Sequence, residues 1–161
     1  MPQDAGKSID GVVIKPLRQV RDRRGWLMEI LRSDAPEFQR FGQVYVTVAY
    51  PGVVKAWHCH EKQTDHVTVV AGEGRIALYD GRDGSPTRGN VVDVVAGEDK
   101  PVLVVIPPGV YHGFKSTGDA PVHVVNVPTE LYDYDEPDEL RRPYDDPEIP
   151  YDWGEADPAS G

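Results

Sequence analysis

His58 and His60 flank Cys59 in a stretch bounded by Gly52 and Gly72, and His112 follows a second punctuated block, Pro107-Pro108-Gly109-Val110-Tyr111. On a β-strand, residues two apart face the same side, so the rings of His58 and His60 point together and Cys59 points away. Histidine changes charge close to neutral pH and also ligates metals, so three imidazoles meeting in one cavity form a chemical site. The competing reading is a pair of surface histidines on an edge strand. Small β-barrels place such side chains in their own mouths, which directs attention to the strands that surround these blocks.

Strand signals run through most of the chain. Gln43 to Tyr50 alternates Val44, Val46 and Val48 with Tyr45, Thr47 and Ala49, a period-2 pattern. Further strands are expected at Val12–Leu17, Trp26–Arg32, Val53–His60, His66–Val70, Arg75–Tyr79, Val91–Val95, Val102–Ile106, Gly113–Ser116 and Val122–Val127. Turns are expected at Asp22–Gly25, Ala71–Gly74, Asp80–Pro86, Gly97–Asp99 and Gly118-Asp119, where glycine, proline and aspartate cluster. Many short strands with no helix between them predict an all-β sandwich or closed barrel. Residues 1–128 read as the barrel. Residues 129–161, rich in Pro, Asp and Tyr, read as an extension packing on it, with one short helix around Asp138–Arg141. The residues before Val12 read as a loose leader.

The chain has 161 residues and a net charge of -10. Residues 129–161 carry 12 acidic residues against Arg141 and Arg142, whereas residues 1–128 hold 15 of each sign. Nucleic acid needs a basic face, so it is not an expected partner. No apolar run reaches membrane-spanning length, and the N-terminus has no basic region followed by an apolar one. A single cysteine, Cys59, fits a reducing cytoplasm.

The spacing from Gly52 through His58, His60 and Asp65 to Gly72, and then from Pro107 through Gly109 to His112, resembles the two motifs of the cupin superfamily. That resemblance implies a double-stranded β-helix, or jelly roll. In its metal-binding members it implies one divalent transition metal, held here by His58, His60, Asp65 and His112 as a mixed nitrogen and oxygen set. A longer resemblance covers nearly the whole chain. Asp22-x-Arg24-Gly25 with Glu29, Gln43 with Thr47, Asp80-x-Arg82 with Ser85-Pro86-Thr87-x-Gly89, Gly109 with His112-Gly113-Phe114, and Asp146-Pro147 with Trp153 resemble the dTDP-4-dehydrorhamnose 3,5-epimerase family. Membership implies a homodimer acting on a nucleotide-linked 4-keto-6-deoxysugar without a cofactor. It also implies His58 as the base, Asp146 as the carboxylate orienting it, and Arg24, Glu29, Gln43 and Lys55 as contacts to the nucleotide and pyrophosphate. Tyr45, His60, His112 and Asn126 complete the expected substrate-binding set.

Three residues depart from that family. Asp65 stands where it has an enolate-stabilising lysine, Asn126 where it has the tyrosine acid, and Tyr45 where it has asparagine. Two repairs are open. A metal on His60, Asp65 and His112 can replace the lysine as Lewis acid. Alternatively His60, His66 or Lys55 supplies the positive charge and Tyr111 or Tyr45 the acid. The first points to a metal-dependent cupin enzyme and the second to a metal-free epimerase or isomerase. A non-catalytic sugar-nucleotide binding protein is the third reading.

Overall fold

Valine, isoleucine and threonine fill the regular stretches, and their branched side chains suit a pleated, half-buried surface. In a computed structural model, which describes residues 7–161, they form twelve strands and, among those residues, no helix. The strands are β1 (Val13–Pro16), β2 (Gln19–Asp22), β3 (Gly25–Met28), β4 (Tyr45–Ala49), β5 (Val54–Cys59), β6 (Asp65–Ala71), β7 (Glu73–Asp80), β8 (Val91–Gly97), β9 (Val102–Ile106), β10 (Val110–Ser116), β11 (Val122–Asn126) and β12 (Leu140–Arg141). Two five-stranded antiparallel sheets face each other in the orders β1-β9-β6-β11-β4 and β12-β5-β10-β7-β8. The architecture is the all-β, cupin-type jelly roll that the strand spacing and the resemblance imply. Since no helix is present among the described residues, none is long and apolar enough to cross a membrane.

The inward faces of the two sheets supply the core, including Val67, Val69, Ile76, Leu78, Val104, Ile106, Val122 and Val124. A second apolar cluster lies on the other face of the β5 sheet. There Val54, Ala56, Trp57 and Ala77 are covered by Ile149 and Trp153 from the C-terminal extension. The extension thus shields apolar surface that the barrel would otherwise expose.

A bulge separates these two faces along β5. His58 is opposite His112 and Lys55 is opposite Phe114, so three steps on β5 answer two on β10. One residue is therefore extra on β5. It brings Lys55 to the same side as His58, which strict alternation forbids. Gly113 sits opposite the bulge, where an added Cβ would lie 2.3 Å from the Ala56 Cβ and 2.7 Å from the Lys55 carbonyl oxygen. Only glycine fits there.

Three expectations are corrected. Asp138–Arg141 is not a helix: Leu140 and Arg141 pair with Cys59 and His58 as edge strand β12. The Asp138 carboxylate accepts hydrogen bonds from the backbone N–H groups of Glu61, Lys62 and Gln63 at 2.7, 3.0 and 3.1 Å. A four-residue helix closes almost no internal hydrogen bonds, whereas the open edge of β5 offers several. The leader expected before Val12 is not loose where it is described. Residues 1–6 lie outside the described residues, but Ile9 is 3% exposed and belongs to the core. Asn90 and Arg82 donate to the carbonyls of Ser8 and Asp10. The expected turn at Asp22–Gly25 joins β2 to β3, and β3 ends at Met28 rather than continuing to Arg32.

Candidate active site

Inward side chains of both sheets enclose a cavity of about 150 Å³. His58, His112, Gly113, Phe114 and Ile76 line it from the β5 sheet, and Tyr45, Thr47, Val67, Ile106, Val124 and Asn126 from the opposite sheet; His60 and Glu139 complete the wall. Five of the expected site residues therefore meet here: His58, His60, His112, Tyr45 and Asn126. Lys55 reaches the edge of the cavity, where its Nζ donates to Thr47 Oγ1 at 3.3 Å. A larger, more open groove beside Lys115 and Trp153 contains no histidine, and its lysine is occupied by the carbonyls of Trp153 and Glu155.

The carboxylate on His58 is Glu139, whose Oε1 lies 3.1 Å from His58 Nδ1. Asp146, expected in that role, instead accepts from the backbone N–H of Glu148 at 2.9 Å and faces Arg142 at 3.7 Å. The reason is register. Pairing of Arg141 with His58 carries Glu139 to the histidine, and the chain then turns away before Asp146. Sequence reasoning missed Glu139 because the contact depends on a two-residue edge strand that leaves no local pattern. With Nδ1 engaged, His58 Nε2 is the nitrogen left for chemistry. Burial, then the nearby His112, push the His58 pKa below its usual value of 6.5, against the pull of Glu139. Both effects favour the neutral ring.

Beside it, Asp65 is buried at the start of β6 and its Oδ2 lies 3.2 Å from His60 Nε2 and 3.1 Å from His112 Nε2. Gln63 and Asn126 donate to its other oxygen at 2.7 and 2.9 Å. Burial alone would raise the Asp65 pKa, but the hydrogen bonds from His112 and His60 prevail and hold it far below the usual carboxylate range. For His60, burial pulls downward and is outweighed by Asp65, which lifts it to about 9. The other nitrogen of each ring faces a backbone carbonyl, Asp138 for His60 and Val110 for His112. A carbonyl can only accept, so both Nδ1 atoms donate. The two Nε2 atoms and the carboxylate then attract one another only through a cation, either a proton or a metal ion. His58 is outside this group of three, contrary to the four-residue metal set expected for it.

Asn126 is fixed by its amide. Its Oδ1 accepts from the His66 backbone N–H at 3.0 Å, so its Nδ2 is the donor to Tyr45 Oη at 2.8 Å as well as to Asp65. Tyr111 leaves the list of possible acids, because it packs with the outer cluster, with Arg142 5.2 Å from its ring centre. Fully buried His66 bonds the carbonyls of Val127 and Glu37, away from the cavity. Cys59 is buried on the outer side, where burial pushes its thiol up to about 11, an inert group rather than a nucleophile.

The residues expected to hold the nucleotide lie elsewhere within one chain. Arg24 is exposed on the β2–β3 hairpin and pairs with Asp22 at 2.6 Å. Glu29 pairs with Arg32 at 3.2 Å. Gln43 accepts from the Tyr132 backbone N–H at 2.7 Å. None of the three lines the cavity.

Comparison with known proteins bears on the fold and the family. The chain is 45% identical over 148 residues to the probable low-salt glycan biosynthesis epimerase Agl13 of Haloferax volcanii, covering 91% of this chain and 95% of that one. It is 41% identical over 145 residues to the spore coat polysaccharide biosynthesis protein SpsL of Bacillus subtilis, covering 90% and 96%. Among solved structures, a dTDP sugar isomerase from Desulfovibrio desulfuricans superimposes with a TM-score of 0.86 at 37% identity, covering 92% of this chain and 94% of the other. The sequence profile of the dTDP-4-dehydrorhamnose 3,5-epimerases matches residues 6–160, and with that coverage the chain belongs to this family of sugar-nucleotide epimerases.

Proposed function

We propose that the protein removes the proton next to the keto group of a dTDP-linked 4-keto-6-deoxyhexose, with His58 as the base, and so epimerises or isomerises the sugar. The observation that carries this reading is a neutral His58 whose Nδ1 is held by Glu139 while its Nε2 is left for substrate in a cavity between two sheets. A proton beside a ketone becomes removable when the base is well placed and the developing enolate oxygen is met by positive charge. His60, which Asp65 holds protonated, supplies that charge beside His112, in the place of the lysine that the family resemblance implies. The test is deuterium uptake from D2O into dTDP-4-keto-6-deoxyglucose. Incorporation at C3 or C5 is expected, and folded protein that incorporates none fails the proposal for this sugar.

The same reading makes the protein a homodimer. Val20 and Leu27 on the β2–β3 hairpin are 54% and 63% exposed, and Val44 and Val46 beside the open edge of β4 are similarly bare. A second copy covering them can also bring Arg24 and Glu29 toward a cavity that lacks them. Sedimentation equilibrium at micromolar concentration should give twice the chain mass of 17.9 kDa.

A second reading rests on the three facing atoms of His60, Asp65 and His112, which lie within 4.8 Å of one another. Two imidazoles and one carboxylate fit a divalent transition metal, which would polarise the keto oxygen as a Lewis acid. Metal analysis of protein purified without chelators separates the readings. Less than about a tenth of an equivalent, with no rate gain from added iron, manganese, nickel or zinc, leaves protonated His60 as the cation.

A further inference from the structure

We infer that Tyr45 is the acid that returns a proton to the sugar on the face opposite His58. This rests on the proton-abstraction reading above and adds the second half of the reaction. Inversion at carbon requires removal of a proton from one face and delivery to the other. The cavity is built for that division, because His58 comes from β5 in one sheet and Tyr45 from β4 in the facing one.

The hydroxyl of Tyr45 is also oriented. The Asn126 amide is locked by its bond to the His66 N–H and must donate to Tyr45 Oη, so the phenolic proton points away from Asn126. The other hydroxyl on that wall, Thr47, already accepts from Lys55 and is a far weaker acid. Burial, with Asp65 beyond Asn126, raises the Tyr45 pKa to about 12, so it holds its proton until a strongly basic enolate carbon appears.

Tyr45 and Asn126 are directly opposed across β4 and β11. In the step itself, the C–H electron pair left after His58 takes the proton forms the enolate. That pair then forms a new C–H bond as the Tyr45 O–H bond breaks. The phenolate takes a proton from solvent and the His58 imidazolium loses one to it, which restores both groups.

The experiment uses full-length Tyr45→Phe with dTDP-4-keto-6-deoxyglucose in D2O, following exchange and epimerised product separately by NMR. The variant is expected to keep solvent exchange within about threefold, because His58 can still remove and return the proton on its own face, and to lose epimerised product at least about a hundredfold. An unchanged yield of epimer overturns the assignment. So does loss of exchange and product together in a variant that still binds dTDP and keeps its circular dichroism. Wild-type protein that neither exchanges nor epimerises would instead fail the underlying proposal, and that arm is read first. As a second variant, Tyr45→Asn combined with Asn126→Tyr moves the hydroxyl to the directly opposed position on β11. It should recover at least about tenfold of the epimer lost in Tyr45→Asn alone, and no recovery counts against the assignment.

Discussion

The two faces of the β5 sheet divide the work of the molecule. The outer face is dry and aromatic: Trp57 lies 5.2 Å from Trp153 and 5.9 Å from Tyr151 between ring centres, beneath the C-terminal extension. The inner face carries His58 and His112 against a cavity, with Asp65 and Tyr45 across from them. Neighbouring residues on one strand therefore have opposite duties. Trp57 holds the strand in place and His58 uses the place. Interior packing answers to shape and area, whereas proton chemistry answers to one or two atoms and their partners.

The sharpest break in that division comes from Trp57→Ala. Emptying a fully buried indole site should cost about 3–5 kcal/mol, read as a lower denaturant midpoint, because the cavity left behind adds to the lost transfer energy. His58→Asn next door should do the reverse. Solvent exchange should fall by at least about a hundredfold, while stability changes by less than about 1 kcal/mol and dTDP binding by no more than about threefold.

Smaller effects test who holds the base. Glu139→Gln keeps a hydrogen-bonding side chain but removes the charge that steadies an imidazolium, and exchange should fall about tenfold. Asp146→Asn should leave exchange within about twofold and cost under about 1 kcal/mol, since a 3.7 Å ion pair with Arg142 contributes little. The reverse ranking would return the orienting role to Asp146. Finally, because His58 is held below 6.5 by burial and by His112, the acid limb of kcat/KM must lie below pH 6.5. A pH–rate profile that already falls between pH 8 and 7 would remove His58 as a neutral base.

Much of this was legible in the sequence because it is local. Alternation located most strands, and period 2 put His58 and His60 on one side with Cys59 on the other. The same rule separates Tyr111 from His112 on β10. What escaped was non-local. Nothing near Asp138–Arg141 reveals that β5 has an edge to fill, so the segment read as a helix and Glu139 went unnoticed. Arg24, Glu29 and Gln43 rest on resemblance alone, and a resemblance carries no distances: within one chain none of the three lines the cavity.

The bulge in β5 gives that strand something close to two reading frames, one ending at Lys55 and the other beginning at His58. Both frames show the cavity their chemistry only because one residue between them drops out of the alternation. That surplus residue serves the outer face, where the consecutive Ala56 and Trp57 both pack, which strict alternation forbids. Removing either one would leave the lysine and His58 two apart and still on one side, so the loss would fall on packing and not on the site. One short strand thereby carries the side chains of both faces without giving up a position on either.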